Sequence, residues 1–421
     1  MSLRVSKPEF NIREKLNELD RPIGVQGNNI LRSNTASESF DIIQAGRRNM
    51  LINGDMSMAQ RGVYVDVNTP SRTTGITGDT FGACDRWELD IASSGTWTQE
   101  QVLDAPLGSG FRHSTKMTCT TPDTSGGGYT PLGIVSLRQK IEHGLLMSLQ
   151  HKSTKGKPFT LSFWVKSNEP GKYYVRLVSI NNTTSDSITR SYTIEQSGVW
   201  EFKTLTIPPD TKNYYALGTP VQAMEVYLTV GANSNTYGSP HYGIWDNNAA
   251  HWHRGQTNLA AATGNYIQWT GIQLEKGSQH TPFEHLHYHE NLALCQRYCA
   301  AFGGDDEMHL GTAHAYNSTN INLSIHLPVS LRAKPSPYIT TVPSGSQAGN
   351  WVQAYKGASG NMSNASVSVG DNTTTTIGGT SSGGHHTLRL YLQNAHSGLS
   401  TGDALWVHTL ANAKLVLDAE L

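Results

Sequence analysis

The chain has 421 residues, which on length alone fits about two or three domains and is enough to bury cores without disulfide staples. Its formal net charge is −1 and 15% of its residues are charged, against roughly 25% in an average soluble domain. No global field favours nucleic acid or anionic lipid, and the excess of Gly, Ser, Thr and Asn suits short strands and turns rather than long charged helices. The first segment, MSLRVSKPEFNIREKLNELD, is charged and lacks the apolar core of a secretory signal. Within it Asn11 caps IREKLNEL, with Glu14 three residues on. Ile12, Leu16 and Leu19 form one apolar stripe, and Pro22 and Gly24 end the run. A helix this short is marginal alone in water and needs a surface to dock on. That surface is either its own chain or a partner, and residues 25–48, which show no sustained period, read as an extended arm.

From Asn49 the pattern is β. FTLSFWV (Phe159–Val165), YYVRLV (Tyr173–Val178), WEFKTLTI (Trp200–Ile207), AMEVYLTV (Ala223–Val230) and YIQWTGIQL (Tyr266–Leu274) alternate with period two between turn-forming residues. One helix is expected among them, VSLRQKIE, with Val135, Leu137 and Ile141 on its apolar side. Such spacing predicts a jelly roll or sandwich over 49–290. YHENLALCQRYC (288–299) reads as a short helix, and 291–299 as a helical joint. INLSIHL (Ile321–Leu327), TLRLYL (Thr387–Leu392), ALWVHTL (Ala404–Leu410) and KLVLDAEL (Lys414–Leu421) then predict a smaller β-sandwich domain over 300–421. The fold class is mainly β. No apolar run approaches the roughly 20 residues that cross a bilayer, so membrane insertion is not expected. Cys84, Cys119, Cys295 and Cys299 have no CxxC or zinc spacing and read as buried thiols of a chain folded in a reducing cytosol.

Two stretches invite chemistry. HTPFEHLHYHE holds His280, His285, His287 and His289. His285, His287 and His289 would share one face of a strand, but no HExxH is present and a zinc site needs three or four fixed ligands. The plainer reading is a polar junction with solvent-facing imidazoles, so no metal and no cofactor is expected. HYGIWDNNAAHWHRGQTN (His241–Asn258) supplies Tyr242, Trp245 and Trp252 with Asp246, Asn247 and Asn248. Aromatic faces and amide or carboxylate groups are what a glycan site needs. The alternative is that these tryptophans plug the end of the sandwich or a subunit contact. Trp351 and Tyr355 make a second such loop. Glycoside hydrolysis needs two facing carboxylates, and Asp85, Glu88, Asp90, Glu100 and Asp104 are scattered. No GxSxG elbow is present, and no catalytic residue is assigned.

GRRNMLINGDM…AQRG (46–62), CDRWELD (84–90), FTLSFWVKS (159–167) and GIQLEKGSQHTPFEH…ENLALCQRYC (271–299), in that order, resemble a family of bacteriophage tail-fibre and related virion proteins of marine and cyanobacterial phages. The N-terminal SKPEFNIREKLNELD is similar to an attachment arm of such proteins. The resemblance implies a carbohydrate-binding-like jelly roll in a non-enzymatic structural protein of the virion, made in the host cytoplasm. It implies a tail fibre, commonly a homotrimer, joined to other virion proteins through residues 1–48 and contacting host glycan through its β domains. The alternatives are a capsid-attached fibre or decoration protein, and a polysaccharide depolymerase.

Overall fold

In the computed structural model the chain divides into two compact units, Met1–Arg48 and Asn49–Leu421. The structure describes residues 47–420 except 63–70, 93–94, 123–133, 181–184, 213–221, 233–242, 247–254, 305, 341–351, 356–365, 370–384, 394–398 and 412. The expected helix with Ile12, Leu16 and Leu19 lies outside these residues.

The first part of the larger unit is a jelly-roll sandwich. Its strands are β1 (Ser71–Ile76), β2 (Thr80–Phe81), β3 (Glu88–Ala92), β4 (Thr96–Val102), β5 (Ser114–Thr121), β6 (Ile134–Glu142), β7 (Phe159–Ser167), β8 (Gly171–Ser179), β9 (Asp186–Ile194), β10 (Glu201–Ile207), β11 (Gln222–Ala232) and β12 (Tyr266–Lys276). They form two antiparallel sheets in the orders β1-β4-β5-β12-β7-β10 and β2-β3-β6-β11-β8-β9. Period-two alternation sends Leu161, Phe163 and Val165 of β7, Ile267 and Trp269 of β12, Tyr173, Val175 and Leu177 of β8 and Val226 and Leu228 of β11 into one shared core. Each such side chain stabilises the fold by roughly 1.5–3 kcal/mol before ordering costs.

VSLRQKIE is not a helix. It belongs to β6, between β3 and β11. Leu137 and Ile141 fit a helical i, i+4 step, but Val135, Leu137, Gln139 and Ile141 also share one face of a strand, and pairing on both sides decides the matter. Among the described residues the α-helix of this region is one turn, α1 (His143–Leu146), continued by a 3₁₀ turn over Met147–Leu149.

Helix α2 (Tyr288–Gln296) follows. It ends before Cys299, which opens the next strand. The second domain comprises β13 (Cys299–Gly303), β14 (His309–Ala315), β15 (Ile321–Leu331), β16 (Ser336–Thr340), β17 (Val352–Tyr355), β18 (Ser366–Val369), β19 (His385–Gln393), β20 (Ala404–Thr409) and β21 (Lys414–Asp418). A three-stranded sheet, β13-β21-β16, faces a six-stranded one, β17-β20-β14-β15-β19-β18, across a core of Leu323, Ile325, Leu390, Val407, Leu415 and Leu417. All four cysteines are buried thiols. Among the described residues no helix is long and apolar enough to cross a membrane.

The motifs quoted above converge in a buried polar knot. Asn49 donates to Ile272 O and accepts from Leu51 N and Leu274 N, each at 3.0 Å. Asn53 has a left-handed backbone (φ 57°) and bonds Met58 O and Asp85 O, while Trp87 Nε1 donates to Asn53 O. A Cβ on Gly54 would stand 2.0 Å from Ile272 O, so only glycine fits. Asn291 of α2 reaches Asp55 and Ser57. Beside the knot, two buried arginines join the domains. Arg61 donates to Asp418 (3.2 Å) and Glu420 (3.0 Å), and Arg86 pairs with the other oxygen of Glu420 while lying over the Tyr298 ring at 3.5 Å. Ala419 N donates to Tyr298 O and Arg332 to Ala419 O, so the DAE segment is held on both sides.

Candidate glycan-binding face

The loop expected to bind glycan is divided by the structure. Trp245 is 6% exposed and belongs to the jelly-roll core. Its Nε1 donates to Pro208 O at 2.8 Å, and its ring meets His151 at 5.3 Å and Phe159 at 6.4 Å. Both the ring and its donor are engaged, so Trp245 plugs the sandwich and is not a sugar platform. Asp246 pairs through its backbone with Ser187 of β9. Tyr242, Asn247 and Trp252 lie outside the described residues, as does Asn248. The far end of the loop is tied at Thr257, whose N–H donates to Lys172 O of β8. Asp246 and Thr257, which flank the segment carrying Asn247 and Trp252, are thus tied to the edge strand β9 of the second jelly-roll sheet and to its neighbour β8. Tyr355 ends β17 and stacks on His408 at 5.0 Å; Trp351 lies outside the described residues.

That sheet has a polar outer face, built from the half of each alternation that the core does not use. Register places Glu88, Arg138, Tyr227, Arg176 and Thr189 in one row across β3, β6, β11, β8 and β9. The next row is Asp90, Ser136, Thr229, Tyr174 and Ser191. Arg138 donates to Glu88 (3.0 Å), Asp90 (3.1 Å) and Tyr227 OH (3.1 Å), and the Tyr227 hydroxyl donates to Glu225 at 2.5 Å. Lys172 lies over the Tyr174 ring and Arg176 over that of Tyr227. The face grades from Tyr174, fully buried, to the Asp79 carboxylate, 54% exposed at the β2–β3 edge. Burial, against the pull of Arg138, pushes the Asp90 carboxyl up to about 6. Burial also brings Arg176 down to about 10, against Tyr227 and Glu225. Glu88, Arg138, Tyr227 and Arg176 are themselves only 6–8% exposed, so this recess is covered over its middle and exposed at the Asp79 end. Its forked donors, carboxylate acceptors and Tyr227 ring are the groups that bind vicinal hydroxyls and pack beside a sugar ring.

The histidines separate. His280 meets the Phe202 ring edge-on at 5.1 Å, and His285 packs against Phe111 and Phe283. His287 and His289 stack on each other at 5.5 Å. Glu284 of the same stretch accepts from Asn49 N at 2.7 Å, which ties it into the polar knot. Among the described residues no three His, Cys, Asp or Glu side chains converge as a metal site.

No family model matches the chain, and no curated protein sequence matches it. Solved structures with a local likeness include the enzymatically active domain of tailspike protein 4 of bacteriophage CBA120, at 13% identity and a TM-score of 0.27. That match covers 54% of this chain but 21% of the tailspike domain. A family 4 carbohydrate-binding module matches at 12% identity and a TM-score of 0.26, covering 53% of this chain and 98% of the module. A cyclase from Fischerella sp. matches at 13% identity and a TM-score of 0.27, covering 56% and 98%. At these values no ligand or activity passes from them to this chain.

Proposed function

We propose that the chain is a non-enzymatic structural component of a bacteriophage virion, a tail fibre that touches host-surface glycan with its β domains. The observation that carries the glycan part is the Glu88–Arg138–Tyr227–Arg176 row, where donors, acceptors and an aromatic ring share one recess. Asp246 and Thr257, on either side of the Asn247–Trp252 segment, are tied to the same sheet. Vicinal hydroxyls donate to the carboxylates and accept from the guanidinium forks, and a tyrosine face packs on the C–H side of the sugar. The virion part rests on the motif resemblance and on the arm. Attachment runs through residues 1–48, and the fibre is a homotrimer in the virion.

The arm is tested by complementing a phage that lacks the protein with a chain missing residues 1–48, and counting fibres on purified particles. Ile12→Asp with Leu16→Asp should fail in the same way, because two charges then enter an apolar groove. Normal incorporation of the shortened chain would place attachment elsewhere. Labelled virions imaged in the same preparation show whether the fibre sits on tail or capsid.

A further inference from the structure

The outer face of the six-stranded sheet of the second domain has no part in the recess described above. Alternation sends Leu405 and Val407 inward and leaves Trp406 on the outside, 67% exposed in the middle of β20. Trp406 pairs across the ladder with Tyr355 of β17 on one side and Thr312 of β14 on the other. Two strands further on, Ser324 of β15 pairs with Arg389 of β19 on the same outer face. The neighbouring row is Ala404, His314, Asn322 and Tyr391. β20 and β19 are three strand spacings apart, about 14 Å, the reach of a short oligosaccharide. Tyr355 is braced by His408, whose Nδ1 stands 3.4 Å from Glu307, and Tyr391 is braced edge-on by Tyr316.

Arg389 differs from Arg61, Arg86 and Arg138 in its partners. None of the described residues accepts a hydrogen bond from its guanidinium, and its Nε is buried without a partner. Arg61, Arg86 and Arg138 each hold at least one carboxylate. A guanidinium with no acceptor among the described residues, an exposed indole beyond it, and Thr312, Ser324, His314 and Asn322 between are complementary to a ring bearing a negative charge. Trp, Tyr and Arg are also enriched where subunits meet, so the sedimentation coefficient in the test below separates a subunit contact from a sugar site. We infer that this face binds an acidic polysaccharide, a sugar ring stacking on Trp406 while a carboxylate or sulfate of a nearby unit accepts from Arg389. The inference rests on reading the chain as a glycan-contacting protein, and it adds a second site and its ligand class.

The test is electrophoresis of the full chain through gels containing polygalacturonate, dextran sulfate or neutral dextran. Retardation by polygalacturonate, by dextran sulfate or by both is expected, the two arms separating carboxylate from sulfate; dextran should not retard. Trp406→Ala and Arg389→Met should each lower the apparent affinity about tenfold, roughly 1.4 kcal/mol, with Trp406→Phe losing less. Both positions face outward, and an unchanged melting temperature checks that the variants fold. Loss in Arg389→Met with none in Trp406→Ala would mean ion exchange alone and overturn the site. Equal retardation by dextran, or a changed sedimentation coefficient in Trp406→Ala, would do the same. If host-surface polysaccharide is held and Arg176→Met releases it while neither acidic polymer is held, this inference fails and the broader reading stands. If no polysaccharide is held, both fail.

Discussion

Two arginine clusters are buried in this molecule, and their partners differ in origin. At the seam, Arg61 and Arg86 take carboxylates from Asp418 and Glu420, more than 330 residues away in sequence and in the other domain. On the second jelly-roll sheet, Arg138 takes Glu88, Asp90 and Tyr227 from strands directly beside its own. The first arrangement joins two parts of the chain, with Asp85, in the same domain as Arg61, also 3.9 Å from it. The second holds itself together within one sheet and leaves one edge open at Asp79. Buried ionic residues therefore do not mark a site by themselves; the origin of the partner separates a weld between domains from a network held within one sheet.

Removing a seam carboxylate should break this contrast most strongly. Glu420→Ala takes the paired carboxylate from buried Arg86 and leaves Arg61 with Asp418, and breaking a buried pair from one side costs ~3–5 kcal/mol. Urea unfolding of the full chain should show that loss; an unchanged midpoint would mean the seam does not join the domains. Trp245→Ala should cost a similar or slightly smaller amount, about 3 kcal/mol or more, because it empties a core site bounded by His151, Phe159 and Pro208. If it weakened glycan retention at full stability instead, the ring would be a platform after all.

Arg176→Met keeps the packed stem and removes the fork. It should weaken retention on host-surface polysaccharide about tenfold, roughly 1.4 kcal/mol, with stability changed by less than Glu420→Ala changes it. A melting shift as large as that of Glu420→Ala would make the sheet face a second weld. The smallest effect concerns pH. Burial, with Lys152 adding to it and Asp186 opposing, brings the His151 imidazole down to about 3. An unfolded histidine titrates near 6.5, so the folded state holds the neutral ring and the unfolded state takes up the proton first. The stability tied to His151 is fully present above about 6.5 and is lost as pH falls towards 3. His151→Gln, which keeps a donor for Ser179, should flatten the decline between pH 7 and pH 4.5. An identical decline in both proteins would remove His151 from the account.

Much of the fold was readable in the residues. Leu161, Phe163 and Val165, or Leu323, Ile325 and Leu327, alternate clearly enough to fix both strand and face. β6 misled because Gln139 interrupts its apolar side and leaves Leu137 and Ile141 at a helical step. The site was harder for two reasons. Trp245 sits among Asp, Asn and His, the company of a binding loop, and only Pro208, His151 and Phe159, all distant in sequence, make it core. The recess was present as ordinary polar residues at period two, Glu88 and Asp90, Ser136 and Arg138, Tyr174 and Arg176, Tyr227 and Thr229. Nothing local signals that they face one another, because register between strands decides it.

The central claim is that the chain holds glycan without cutting it, and a single incubation tests both halves. Purified full chain is mixed with host-surface polysaccharide, and the bound protein and newly formed reducing ends are measured in the same tube. The account predicts saturable binding that falls in Arg176→Met, with reducing ends at the level of polysaccharide alone. Oligosaccharides accumulating with time, or binding indifferent to Arg176, would contradict it.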